Sequence, residues 1–275
     1  MPNYENFFAF EYWQYEVVRH MFAFTAAVFA AAFVYFALTM RQVAERYRLA
    51  SIISCVVMIS ATLELFLLWL MWNRAFEFDI TTMTYARAEG FIFANGYRYA
   101  NWMIDVPMLM TQLLVVLGFA GRDMLSRWWK LMALGVFMIL TAYIGQYYEP
   151  QAAGIIDESA FGFWFWGIVS WIAFLVLLWL LYKNVEEGRA RMGGEASKLM
   201  GAAWTLMWIT WTIYGLVYLV PGIPGINESS TWIVIRQGGY TFADVTSKAV
   251  FGVILSYTAM TLSKEPERNT TRKAA

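Results

Sequence analysis

The sequence predicts an all-α membrane protein: a seven-transmembrane-helix bundle with its N-terminus outside and its C-terminus inside. Three observations carry this. Hydrophobic residues make up 60% of the chain and charged residues only 15%, where a soluble domain carries about 25% charged. Apolar segments recur near 17–40, 50–73, 97–120, 129–148, 160–182, 200–221 and 231–262, each long enough to span a bilayer, the last with tilt. The basic residues are asymmetric. With the N-terminus outside, the inner loops and tail hold 14 Lys and Arg against 5 on the outer side, and the positive-inside rule then sets the orientation. An odd number of helices agrees, since it puts the termini on opposite faces.

The elements follow in order, as one domain over 1–275. Met1 to Arg19 carries Glu5, Glu11 and Glu16 and lacks the basic start of a secretory signal peptide. It reads as an extracellular lead-in with an amphipathic stretch, Phe8 to Tyr15. Between the second and third segments, Phe76 to Ile80 alternates with period 2, and Phe91-Ile92-Phe93 follows a glycine. A short β-hairpin over the outer face is expected there. Residues 264–275 form a polar, frayed cytoplasmic tail.

The same composition excludes other classes. The apolar runs do not alternate as barrel strands do, and no internal repeat is visible. Zero net charge offers no field for nucleic acid. The single cysteine, Cys55, rules out an internal disulfide, a CxxC pair and a cysteine zinc site.

Ionisable residues deep in spanning helices are costly and usually functional. Four residues are good candidates: Glu64, Asp105, Asp244 and Lys248. Asp244 and Lys248 are four apart and share a helix face, with Arg236 eight before Asp244. They read as a structural ion pair or, since burial frees a lysine amine for an aldehyde, as a Schiff-base site. On the third segment Arg98, Asn101, Asp105 and Gln112 form one polar stripe. A lone intramembrane Asn is usually helix glue; four polar residues in register look like an ion path.

The run Arg98-Tyr99-Ala100-Asn101-Trp102-x-x-Asp105-Val106-Pro107 with Gln112, the run Ala243 to Lys248, and Trp211-x-x-Tyr214 resemble the third, seventh and sixth helices of microbial (type 1) rhodopsins. The resemblance covers essentially the whole chain. Asn101, Asp105 and Gln112 match the NDQ triplet of the light-driven sodium pumps of that family. The resemblance implies all-trans retinal bound to Lys248 as a protonated Schiff base, walled by Trp102, Trp211 and Tyr214, with Pro107 kinking the helix beside it. It implies Asp105 as counterion and proton acceptor, Gln112 in place of a reprotonating carboxylate, and Arg98 as a gate. Asn101 and Asp244 would hold sodium transiently, and Ser60 would face the chromophore. Glu5, Glu149 and Arg236 match outer-surface positions at the ion-release region; Ser51 and Ser256 fall near ion uptake, where well-known members carry Asn and Gly. A bacterial cytoplasmic (inner) membrane and a homo-oligomer, commonly a pentamer, are implied too, with His20 near the protomer interface or merely packed.

Three residues depart from the family pattern. Glu64 stands where sodium pumps mostly have an apolar residue, one turn from Ser60 and beside Asp105. It either shares a proton with Asp105 and modulates it or is a protonated group bonded elsewhere. Gly215 follows Tyr214 where a proline is common, altering the expected kink. Gly167 replaces a bulky aromatic; it is read as helix packing by a small residue, with a side opening for a carotenoid antenna as the other reading.

The expected function is therefore an outward light-driven sodium pump, an ion transporter and not an enzyme, which falls back to protons without sodium. A proton-only pump on the same scaffold is the alternative, kept open by Glu64 and opposed by Gln112. A photosensor is the weaker third reading, since the polar tail offers no signalling domain.

Overall fold

The computed structural model describes residues 3–150 and 159–264; the expected tail lies outside them, apart from its first residue. Seven helices are described: α1 (Tyr12–Thr39), α2 (Glu45–Ala75), α3 (Gly96–Val116), α4 (Gly121–Gln146), α5 (Ser159–Arg189), α6 (Gly194–Tyr218) and α7 (Ser230–Lys264). Six are long and apolar enough to cross a membrane. The seventh, α3, is not among them because it carries the polar stripe. The result is a membrane bundle of helices joined mostly by short connections.

Helix α1 buries little of its surface, whereas α2 and α7 are more than half buried. In α1, Tyr15, Phe22, Phe29 and Phe36 recur every seventh residue and are all buried, a narrow seam of the coiled-coil kind. Gly252 of α7 accepts Phe36, since a Cβ there would lie 2.8 Å from its ring. The opposite face of α1 exposes Phe24 and Leu38, which suits hydrocarbon rather than water. The start of α1 precedes its apolar run because Glu11 and Gln14 form a capping box. The turn between α3 and α4 is tight, with Gly118 and Gly121 at φ of 77° and 59°, a backbone conformation that glycine adopts without strain.

Two features of the backbone position the site. Pro107 sits inside α3 and removes the amide that would bond the carbonyl one turn earlier. Thr111 Oγ1 donates to the Pro107 carbonyl at 2.7 Å and accepts from Trp128 Nε1 at 2.8 Å. In α7, Val245–Val250 forms a widened π-type turn, a feature frequent at functional sites. Lys248 lies within it.

The hairpin differs from its expected form. Strand β1 (Phe76–Asp79) pairs antiparallel with β2 (Thr84–Arg87), Phe76 opposite Arg87 and Asp79 opposite Thr84. The returning strand is thus not Phe91–Phe93. There the Asn6 side chain satisfies both the N–H and the C=O of Phe93 at 2.8 Å, so no strand partner is needed. The Thr81 amide donates to Asp79 and holds that carboxyl below its ordinary value. Phe10 adds a bridge to Tyr85, whose ring stacks on Tyr15.

Candidate functional site

Helices α2, α3 and α7 bring their charged residues to one point in the bundle. Lys248 Nζ lies 3.0 Å from Asp105 Oδ2, 2.9 Å from Asp244 Oδ1 and 3.3 Å from Glu64 Oε2, and donates to Asn101 Oδ1 at 2.7 Å. Arg98 bonds the other oxygen of Asp244 at 2.8 Å and approaches Glu64 Oε1 at 3.5 Å. All of these side chains are buried. Two cations therefore face three carboxylates. The excess of one negative charge, away from water, calls for a shared proton or an added cation. Glu64 meets Lys248 and Arg98, so Lys248 stands between it and Asp105.

Asn101 bridges outward from this cluster, donating from Nδ2 to Ser60 Oγ at 2.6 Å. Ser60 thus faces Asn101 and does not line the cavity described below. Gln112 is two turns along α3 from Asp105, about 10 Å by helix rise. It donates to Ser54 at 2.5 Å, and its Oε1 has no partner among the described residues. Ser51 and Ser256 are buried in α2 and α7.

An apolar cavity opens beside Lys248, with about 790 Å³ of space including its open side. Trp102, Trp211 and Tyr214 line it, with Asp105 and Lys248 on its wall. Tyr214 donates to Asp244 at 2.7 Å, and Trp102 reaches the same oxygen at 3.4 Å. Two walls are thereby tied to the charged cluster. Pro107 itself does not line the cavity; its neighbour Val106 does, because successive helical residues point about 100° apart.

The two unusual glycines are explained by aromatic neighbours. A Cβ on Gly215 would lie 2.4 Å from Trp171, so the α5 indole occupies the place of any side chain there. Gly167 is buried; a Cβ there would lie 3.1 Å from the Tyr218 ring, on which Phe163 stacks. Gly167 and Tyr218 both line the apolar cavity, so the missing side chain borders that space with Tyr218 beside it.

A second ionic cluster closes the end of the bundle near the hairpin. Arg236 pairs with Glu5 at 2.9 Å and with Glu149. The resemblance implied outer-surface positions for these three residues; here they are buried, because the short 3₁₀ turn Tyr4–Phe7 brings Glu5 onto Arg236 and its Tyr4 amide onto Glu149. The Tyr4 amide donates to Glu149, and the Tyr4 hydroxyl bonds the Asn227 carbonyl. Burial pushes the Glu149 carboxyl above its ordinary value, against the opposing pull of Arg236.

The two clusters are joined by residues that sequence reading passed over. Gln237 accepts from Arg98 at 3.1 Å and donates to Glu5 at 2.7 Å and to Asn95 at 3.1 Å. Thr241 also meets Arg98, at 3.3 Å. The signal was present: Gln237, Thr241, Asp244 and Lys248 are spaced four, three and four, one face of one helix.

With this geometry in place, the relationships are clear. The sequence matches the family described as bacteriorhodopsin-like protein over residues 16–262, and the chain belongs to that family. Xanthorhodopsin, described as a light-driven ion pump with dual chromophore, is 30% identical over 94% of this chain and 97% of its own, with a TM-score of 0.82. Thermophilic rhodopsin is 26% identical over 93% and 97%, with a TM-score of 0.81. Halorhodopsin, a light-driven chloride pump, shares the fold at 16% identity and a TM-score of 0.64, over 89% and 98%. No curated protein matches the chain. The chain is an integral membrane protein of the microbial rhodopsin fold.

Proposed function

We propose that the protein is a light-driven outward sodium pump with retinal bound to Lys248. The observation that carries this is a buried amine that opens onto an aromatic-walled cavity and touches three carboxylates and an amide. Retinal, an apolar polyene aldehyde, fits an apolar cavity of this size with one primary amine on its lining. Bound there as a protonated Schiff base, it supplies light absorption, a change of shape, and release of the Nζ proton.

The residues would do the rest. Asp105 Oδ2, at 3.0 Å, takes the Nζ proton. Until then the positive charge bars sodium, since two cations a few Å apart in low dielectric repel strongly. Once the charge is gone, Asn101 Oδ1 and Asp244 offer the hard oxygen ligands that sodium favours. Gln112, an amide, has no titratable proton to return from its side, which favours sodium over protons as cargo. Arg98, bonded to Asp244 and Gln237, separates the central cluster from Glu5, Glu149 and Arg236, where the ion would leave. Uptake would run past Ser51 and Ser256. Glu64, on the same amine as Asp105, would modulate proton acceptance and return.

A proton-only pump is the second reading, supported by the extra carboxylate of Glu64. A second, antenna chromophore is supported by the dual-chromophore relative and by Gly167, which lines the cavity without a side chain; the tight approach of Tyr218 favours helix packing instead. The orientation, with 14 basic residues inward, the inner bacterial membrane and a pentameric assembly complete the reading.

The test is illumination of cells expressing the protein with all-trans retinal in NaCl, with external pH recorded before and after a protonophore. Alkalinisation that persists or grows is the expected result, because protons follow sodium passively. Acidification abolished by the protonophore would replace sodium with protons.

A further inference from the structure

The membrane-facing side of α5 and α6 holds a second hollow, away from the chromophore cavity. Leu178, Trp179 and Tyr182 of α5 face Trp204, Thr205 and Trp208 of α6 across about 820 Å³ of open-sided space. Trp179, Tyr182 and Trp208 are each about half exposed, at 54%, 48% and 49%. The Tyr182 and Trp204 rings approach to 6.1 Å between centroids across the hollow.

The charges at that end are distributed unevenly. Arg189 holds Glu186, Arg127 and Arg191 hold Glu187, and Arg127 also holds Asp123. Every carboxylate on the last turns of α5 is thus taken by an arginine. Lys183 has no carboxylate partner among the described residues. Its Nζ rests instead over the ring of Trp179 at 3.7 Å, a residue that lines the hollow. Lys198, exposed on α6, is seven residues before Thr205 and so lies on the face of the hollow, nearer the same end.

We propose that this hollow is a binding site for one anionic phospholipid, its acyl chain between the indoles and its headgroup phosphate on Lys183 and Lys198. One molecule of this class supplies both needs: hydrocarbon for the aromatic walls and negative charge for two lysines that have no carboxylate partner among the described residues. A purely apolar molecule would leave both lysines unmatched. A zwitterionic lipid carries its own cation into the same place and gains less. Basic residues beside a membrane attract anionic lipid in this way, and exposed tryptophans hold the interfacial level. The lipid would wedge between the two helices that carry Trp171, Trp211 and Tyr214, so its occupancy would reach the chromophore cavity.

The test is native mass spectrometry of the purified full chain titrated with phosphatidylglycerol or phosphatidylcholine in detergent. The wild type is expected to retain one phosphatidylglycerol at concentrations where phosphatidylcholine is lost. Lys183→Gln should weaken that retention about fivefold, the weight of one basic side chain near an anionic headgroup. Trp208→Ala should weaken retention of both lipids, and Phe24→Ala, on the far surface of α1, should change neither. Visible absorbance with retinal in every variant reports that the bundle is folded. Equal retention of the two lipids by the wild type would overturn the proposal. So would unchanged retention in the double variant Lys183→Gln/Lys198→Gln, or a second copy of the chain in place of lipid.

Discussion

The central and the terminal ionic clusters are built alike. Each is buried and each has one carboxylate more than its cations: Glu64, Asp105 and Asp244 against Arg98 and Lys248, and Glu5 and Glu149 against Arg236. They differ in their surroundings. The central cluster borders the apolar cavity and is held entirely by helices. The terminal cluster is covered by backbone, with the Tyr4 amide on Glu149 and the Tyr4 hydroxyl on Asn227. Buried charge alone therefore does not mark the site of chemistry. A buried charge facing room for a ligand does.

Breaking the central cluster should have the largest effect. Lys248→Ala is expected to abolish the visible absorption band on adding all-trans retinal, measured in purified protein. A retained band would place the chromophore elsewhere. Breaking the terminal cluster should cost stability instead of colour. Arg236→Gln leaves two buried carboxylates without their cation, a loss of about 3–5 kcal/mol. Melting should fall by roughly 10 °C with the visible band kept. A bleached variant with unchanged melting would reverse the roles of the two regions.

Smaller effects sharpen the contrast. Gly215→Ala forces a Cβ to within 2.4 Å of Trp171 and should cost about 1–3 kcal/mol by overpacking, read as a lower melting temperature. Glu64→Gln removes one central carboxylate. It should move the visible pH titration by about one unit, or about 1.4 kcal/mol; an unmoved titration would make Glu64 a packing group. Glu149 gives the smallest effect. Its carboxyl is raised by burial, so the stability it lends is full below about pH 4.3, the ordinary glutamate value. That stability is lost as pH rises through its raised folded value. The melting temperature of the wild type, relative to Glu149→Gln, should therefore fall as pH rises from about 4.

Much of the site was legible because helical periodicity is rigid. Arg98, Asn101 and Asp105 share a stripe by spacing alone, as do Asp244 and Lys248. Glu64 was placed near them by its single turn from Ser60. Gln237 and Thr241 obeyed the same spacing but are uncharged, so no cost of burial drew the eye to them. The burial of Glu5, Glu149 and Arg236 was not legible. It depends on a four-residue turn folding back across the end of the bundle, a contact between segments more than eighty residues apart.

The sequence by itself determined seven apolar helices and a charged stripe among them, since transfer of apolar side chains from water and the 3.6-residue period are local properties. Tertiary structure decided the rest. It set Lys248 between Glu64 and Asp105, closed Tyr218 onto Gly167, and gave α7 its π-type turn. Each of these is a packing outcome, fixed by which side chains from different helices fill the same space.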